Sequence, residues 1–301
     1  MKKIQLYGDY HIHSEFSGDG NDTIDQIVSM AVKRGLREIA ITDHGPATRG
    51  GLQKKNFSLV TALIAKANQE HPITVLQGIE ANVTSTKGHI DVTDEMRTDL
   101  DIVLAGFHPG NRMRTWRDFF AWKLPNFLAW FFRCWTKRRI RKNTEIMKRV
   151  IEKNDIDIWV HPNAYFRLDV LEVAKACAER GTLVEINRRI AFRPIDFERM
   201  KALGVKFVLS SDYHCAERGH TIGILSKEQE AFLDAVDWEV DDFINMTGEF
   251  RRGEANLLKK IKEREYTERA PESVQEKPKP DKAAKREQKK RTKQVRRKAV
   301  D

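Results

Sequence analysis

Residues 4–13 read IQLYGDYHIH, a short apolar run that ends in side chains able to do chemistry. The run Ile4–Tyr10 predicts a β-strand. Period-two alternation through its end puts Asp9, His11 and His13 on one face. The same arrangement recurs along the chain. Strand-like runs occur at Glu38–Thr42, Ile73–Ile79, Ile102–Phe107, Ile156–Val160, Leu183–Ile186 and Lys206–Leu209. Helix-like stretches lie between them, among them Thr23–Arg34, Phe57–Gln69, Val170–Glu179 and Ile195–Ala202, and Gly35 and Gly181 supply stop signals for two. Alternating strand and helix reads as βα units around a parallel sheet. Seven such units predict an α/β fold closed as a seven-stranded barrel, one strand short of the common eight. From about Thr221 the pattern weakens into helices at Lys227–Val236 and Asp241–Met246.

Nearly every predicted strand ends in a metal-ligating residue type. The second ends in Asp43-His44, the third in Glu80 and the fourth in His108. His161 follows the fifth, Glu185 and Asn187 lie at the end of the sixth, and Asp212 and His214 follow the seventh. Function in a β/α barrel gathers at the C-terminal ends of the strands. A lone histidine is more often a core or surface residue than a ligand, but six of the nine histidines fall just past strand ends. Imidazole suits zinc, manganese or iron, and a carboxylate can bridge two ions. The joint pattern therefore points to a metal centre.

The segments DYHIH (9–13), ITDHG (41–45), GIEANV (78–83), GFHPG (106–110), VHPNA (160–164) and SSDYH (210–214) resemble the successive motifs of the PHP (polymerase and histidinol phosphatase) family, in order. The resemblance covers roughly residues 4–225 and is nearest to stand-alone phosphatases of that family. It implies a distorted (β/α)7 barrel, and metal-dependent phosphate-ester hydrolysis by a di- or trinuclear centre with metal-activated hydroxide as nucleophile. It also implies a ligand set. His11, His13, Glu80 and Asp212 would hold one ion, and Glu80 would bridge to a second on His108 and His161. His44 and His214 would hold a third, with Asp19 at the remaining ligand position, six residues after His13. Two or three divalent ions (Zn, Mn or Fe) are expected. The catalytic roles would fall to His161, Asp212 and Glu80. Asp9 and Asp43 would orient neighbouring histidines, with helix or turn capping as the plainer alternative. Arg188, Arg189 and Arg193 follow the sixth strand and would clamp a phosphate, unless they are only a solvated basic loop.

The chain has 301 residues and a formal net charge of +10. Residues 112–142 carry +9 and residues 277–301 another +9, so everything else sums to −8. An acidic body suits a cation centre, and the two basic additions suit a polyanion. Cys134, Cys177 and Cys215 show no CxxC spacing, which argues against a cysteine zinc site or disulfide framework and suits a reducing compartment. Asp9, His11 and His13 interrupt the apolar run behind Met1-Lys2-Lys3, which argues against a signal peptide. No stretch of about eighteen apolar residues offers a membrane span. A cytoplasmic protein is expected.

The expected organisation is a barrel domain over residues 1–262, interrupted by a helical aromatic and basic insertion at 112–150, and a disordered basic tail at 263–301. In the insertion, Phe127, Phe131 and Trp135 fall on one helical stripe and Pro125 is expected to separate two helices. The stripe is expected to pack on the barrel or on a second subunit. Other readings are a platform for single-stranded nucleic acid and attachment to an anionic membrane. The tail could raise nucleic-acid affinity without sequence specificity. Three functions follow: a phosphatase acting on a phosphorylated small molecule, a metal-dependent exonuclease acting on a DNA or RNA end, and a non-catalytic binding module.

Overall fold

A computed structural model of the protein describes residues 4–248 and Phe250; the expected tail, 263–301, lies outside the described residues. Seven strands pair in parallel and in chain order: β1 (Gly8–Ile12), β2 (Glu38–Ile41), β3 (Thr74–Asn82), β4 (Ile102–Gly106), β5 (Ile158–Trp159), β6 (Leu183–Ile186) and β7 (Phe207–Leu209). The helices are α1 (Ile24–Lys33), α2 (Lys54–Glu70), α3 (Asp94–Arg97), α4 (Trp116–Asp118), α5 (Leu124–Phe131), α6 (Lys137–Lys153), α7 (Val170–Arg180), α8 (Pro194–Ala202), α9 (Lys227–Asp234) and α10 (Ile244–Thr247). Parallel neighbours need long crossovers, so the strands are covered on both faces and read as continuous apolar runs. Tyr10, Ala40, Ile102, Leu104, Ile158, Val160, Leu183 and Val208 form one apolar cluster that fills the barrel. A larger cluster joins the outer strand faces to the helices.

Local signals set the helix ends. Thr23 and Gln26 make a reciprocal capping box on α1. Asp169 accepts from two backbone amides at the start of α7, and Gly181 ends that helix at φ 69°, a conformation that a residue with a Cβ resists.

The ring closes at a seam between β7 and β1 that has no regular ladder. Above β7, His13 N–H donates to the Tyr213 carbonyl at 2.8 Å and Tyr213 N–H to the His11 carbonyl at 3.1 Å. Below them a side chain substitutes for backbone. The fully buried Asn245, on α10, donates to Gly8 O at 2.9 Å and Leu209 O at 2.6 Å, and accepts from Leu209 N–H at 3.1 Å.

Two sequence-based expectations change. Asp9 is not in phase with His11 and His13. On β1, Asp9 aligns with Ile39 and Ile12 with Ile41, so three residue steps oppose two on β2. This bulge breaks the period-two alternation. The insertion also divides differently. The helix α6 is the β4–β5 crossover itself, burying Ile146, Met147, Val150 and Ile151, so the added segment is residues 112–136. Within it α4 runs through a π-helical turn (Phe119–Lys123) straight into α5. Pro125 does not separate two helices; it sits in the first turn of α5, directly after the π-helical turn. Trp122, Asn126 and Ala129 form the buried face; of the expected stripe, Phe127 and Phe131 are exposed and Trp135 packs partly against the core. The indole N–H of Trp122 donates to Asn143 Oδ1 at 2.8 Å, and Asn143 in turn donates to Asn126 Oδ1 at 2.8 Å.

Candidate metal centre

The strand ends deliver their polar residues to one place. Imidazoles of His11, His13, His44, His108, His161 and His214 surround the carboxylates of Glu80 and Asp212, all buried, with the half-exposed Asp19 at the edge. Three groups have ligand atoms within 4.8 Å of one another: His13, Asp19, His44 and His214; His11, His13 and Asp212; and His44, Glu80 and His108. Glu80 lies at the middle. Its Oε1 is 2.9 Å from His108 Nε2, 2.8 Å from His161 Nε2 and 3.4 Å from His11 Nε2. Its Oε2 is 2.6 Å from His44 Nδ1 and 3.6 Å from His13 Nε2. Asp212 Oδ1 lies 3.6 Å from both His11 Nε2 and His13 Nε2. Asp19 Oδ2 joins His44 Nε2 at 3.2 Å to His214 Nε2 at 3.3 Å.

Two observations test whether a cation fits. Glu80 Oε2, Asp212 Oδ2, Asp19 Oδ1 and His44 Nδ1 are buried with no hydrogen-bond partner. His44 Nδ1 and Glu80 Oε2 are close, yet neither is aligned for a hydrogen bond to the other. An orphaned buried polar atom costs roughly 1–3 kcal/mol, more if charged. Moreover, Nε2 of His11 faces Nε2 of His13 at 3.1 Å, and Nε2 of His108 faces Nε2 of His161 at 3.0 Å. Facing lone pairs need a proton or a cation between them. Nitrogen and carboxylate donors at this density are what a zinc-, manganese- or iron-type ion takes.

The electrostatics agree. Burial pushes His13 down to about 3 and His108 down to about 4, keeping both imidazoles neutral as ligation requires. Burial also opposes charge on His11 and His44, but nearby carboxylates outweigh it. Glu185, Glu80 and Asp212 hold His11 well above its usual value, and Glu80 with Asp19 pushes His44 up to about 10. Burial would raise Glu80 and Asp212, yet the histidines hold both well below the usual carboxylate range.

Backbone strain gathers here too. His161 has φ 37° and Asp212 φ 51°, left-handed values that non-glycine residues rarely hold without support. Glu185 gives part of that support. Its Oε2 accepts from His161 N–H at 2.6 Å and its Oε1 contacts His11 Nδ1 at 2.6 Å. Gly106 gives another part, because a Cβ there would stand 2.3 Å from the His161 ring.

Asp9 and Asp43 hold loops rather than rings. Asp9 accepts from the backbone of His11, Ser211 and Gly223, and Asp43 from Ser14 N–H and Oγ–H. The ring-orienting contacts come instead from Glu185 to His11, Ser17 to His13 and Asn82 to His108. Glu185 and Asn82 sit in strand-end motifs that were visible in the sequence; Ser17 carries no signal.

The three arginines part company. Arg189 reaches the cluster, with Nη1 3.4 Å from Asp212 Oδ2, and donates to the Tyr165 hydroxyl. Arg188 contacts His220 Nε2 and lines, with Arg189, Ser211 and His220, a cavity of about 360 Å³ beside Asp212. Arg193 does not join them: its guanidinium is paired with Asp196 at 2.9 Å at the start of α8. Sequence reasoning also missed Lys123, a buried insertion residue that donates to the His108 carbonyl and to Asn111 Oδ1. Burial depresses Lys123 to about 7.

The family model described as "PHP domain" matches residues 9–189. A protein of Clostridium novyi (strain NT) named "Probable phosphatase" is 30% identical over 247 residues, covering 79% of this chain and 89% of that protein. A second "Probable phosphatase", from Edwardsiella ictaluri, is 32% identical over 180 residues, which span 60% of this chain and 63% of that protein. Among solved structures, a candidate histidinol phosphatase from Listeria monocytogenes has the same fold, with TM-score 0.50, 15% identity, and coverage of 70% of this chain and 96% of that one.

Proposed function

The chain belongs to the PHP domain family and is a metal-dependent phosphoesterase, and from that premise we propose that it is a phosphatase whose buried histidine–carboxylate cluster holds two or three divalent ions. One observation carries this reading: six imidazoles and three carboxylates converge while the buried Glu80 Oε2 has no hydrogen-bond donor and Asp212 Oδ2 has only the Arg189 ion pair at 3.4 Å. His11, His13, Glu80 and Asp212 would form one ligand set, Glu80, His108 and His161 a second, and His44, His214 and Asp19 a third. When bound, such ions supply Lewis acidity, acidifying a water nucleophile and neutralising phosphate oxygens.

The chain's own residues do the rest. Arg189 presents its guanidinium beside Asp212, where a phosphate oxygen would meet it. Asp212 and Tyr165 fix that guanidinium from two sides, which limits the orientation lost on binding. The cavity bounded by Arg188, Arg189 and His220 would receive the alcohol part of the ester. Glu185 keeps His11 and His161 in register.

The test is release of phosphate from an aryl phosphate by the full chain with Mn²⁺, beside His161→Ala and Asp212→Asn. Turnover that falls by roughly a hundredfold or more in both variants supports the reading. A wild-type chain that binds no Mn²⁺ or Zn²⁺ would overturn it. A second reading, an exonuclease acting on a nucleic-acid end, draws on a cleft of about 290 Å³ bordered by Arg138, Arg141, Lys142 and Arg149. Shortening of an end-labelled oligonucleotide without aryl phosphate turnover would favour it. The filled ligand set argues against a non-catalytic module.

A further inference from the structure

The insertion buries Trp122 but leaves most of its other aromatics exposed. Trp116 is 78% exposed, Phe120 60%, Phe131 66% and Phe132 67%, and Phe127, Leu128 and Trp130 are exposed beside them. These are seven of the twelve large apolar side chains exposed among the described residues. They sit within seventeen positions, 116–132. Solitary exposed apolar residues are ordinary, but such a concentration marks a surface that meets something apolar.

The charge around this surface says what that something is. Arg114, Arg117, Arg133, Lys137, Arg138 and Arg141 are exposed around it, and among the described residues none of them has a salt-bridge partner. The one carboxylate of the segment, Asp118, is turned inward onto Thr86 and Thr115. Tryptophan, phenylalanine and leucine rimmed by unpaired Arg and Lys are the composition of a surface that lies in a bilayer interface, with rings among the acyl chains and cations at anionic headgroups. A nucleic-acid platform wants free ring faces to stack bases. Here the exposed rings pack on one another as an apolar patch does, Phe131 edge-on to Phe132 at 5.0 Å and Trp116 on Phe120 at 6.1 Å. The segment is also firmly mounted, through buried Trp122 and Lys123. No helix among the described residues is long and apolar enough to cross a membrane.

We propose that residues 116–138 dock this protein on an anionic bilayer surface. The face lies close to the metal cluster: the Trp130 ring is 6.3 Å from Tyr165, and Tyr165 is 5.1 Å from His161. The docked site therefore opens near the headgroup layer.

The experiment is co-sedimentation of the full chain with vesicles of phosphatidylcholine alone and of phosphatidylcholine with phosphatidylserine. It compares wild type, Phe131→Ser/Phe132→Ser, and Arg133→Glu/Arg138→Glu. The basic tail is present in all three, so its attraction to anionic lipid is common to them. Wild type should bind the mixed vesicles in preference to the neutral ones. The phenylalanine variant should bind at least about tenfold more weakly, the factor expected when two rings leave an apolar phase. Both positions are exposed, so near-wild-type circular dichroism is expected. The readout is binding, independent of whether the cluster hydrolyses phosphate. Equal vesicle binding by wild type and the phenylalanine variant overturns the proposal. So does a wild-type dimer that becomes monomeric in that variant, which would make the face a self-interface. Loss of single-stranded oligonucleotide binding with vesicle binding intact overturns it as well.

Discussion

Asn245 and Leu209 are joined by two hydrogen bonds, the amide side chain of one matching the backbone N–H and C=O of the other. The Asn245 side chain also donates to Gly8, so one amide does the pairing that a strand would do between β7 and β1. Replacing it with alanine leaves three buried backbone groups without partners. Asn245→Ala should lose about 2–4 kcal/mol of stability, read as a lower urea midpoint with an unchanged slope. A midpoint equal to wild type would mean that water closes the seam equally well.

Glu185 is expected to matter through His11 and His161, not through substrate. Glu185→Gln keeps the shape but removes the charge beside His11 Nδ1. The expected outcome is a loss of about 10–100-fold in Zn²⁺ or Mn²⁺ affinity, measured by competition with a chelating dye. The circular dichroism should not change. Unaltered affinity would mean that His11 needs no orienting carboxylate.

Metal uptake should depend on pH through His44. In metal-free protein this imidazole titrates near 10, because Glu80 and Asp19 outweigh burial. Its proton is therefore held below that pH and lost above it, and an entering cation must expel it. At pH 8, calorimetric titration with Zn²⁺ in buffers of different ionisation enthalpy should report release of about one proton or more. Apparent affinity should climb as pH rises toward 10. The same sign governs metal-free stability: the His44 contribution is complete below the ordinary histidine range and fades as pH rises through about 10. The Glu80 and Asp212 contributions run the other way and fade in acid. Buffer-independent heats would contradict this.

Arg189 and Arg193 are four residues apart and should behave oppositely. Arg189→Ala removes the guanidinium beside Asp212 and should lower kcat/KM for an aryl phosphate by about a hundredfold or more. Arg193→Ala removes a partner of Asp196 at a helix start and should leave kcat/KM within about twofold. Equal losses would place a phosphate-binding role on the helix start as well.

This contrast shows how far the chain could be read before its fold. Seven strands were legible because strands covered on both faces are apolar runs, and the histidines and carboxylates at their ends were legible because a barrel gathers function at one rim. The neighbours of those residues were harder. A bulge shifted Asp9 out of phase, and no spacing rule marks where an extra residue enters a strand. Arg193 carried its own counter-signal, the acid three residues later at a helix start, yet it resembled its neighbours in charge. In the insertion, a polar residue, Asn126, lies on the buried face between Trp122 and Ala129, so hydrophobic periodicity pointed to the wrong side. Asn245 had no signal at all, because its partners are backbone atoms more than thirty residues away.

The barrel seam has one more consequence. His11 and His13 stand on one bank of it, Asp212 and His214 on the other, and two backbone hydrogen bonds through Tyr213 span the gap at that height. An ion shared by the two banks would act as a clasp across the weakest join in the ring. Opening of the ring and release of the ion then become one event. Amide protons of His13 and Tyr213 should exchange with solvent more slowly as metal is added, and occupancy at a hundred times Kd would add about 2.7 kcal/mol to the resistance of the whole barrel to unfolding.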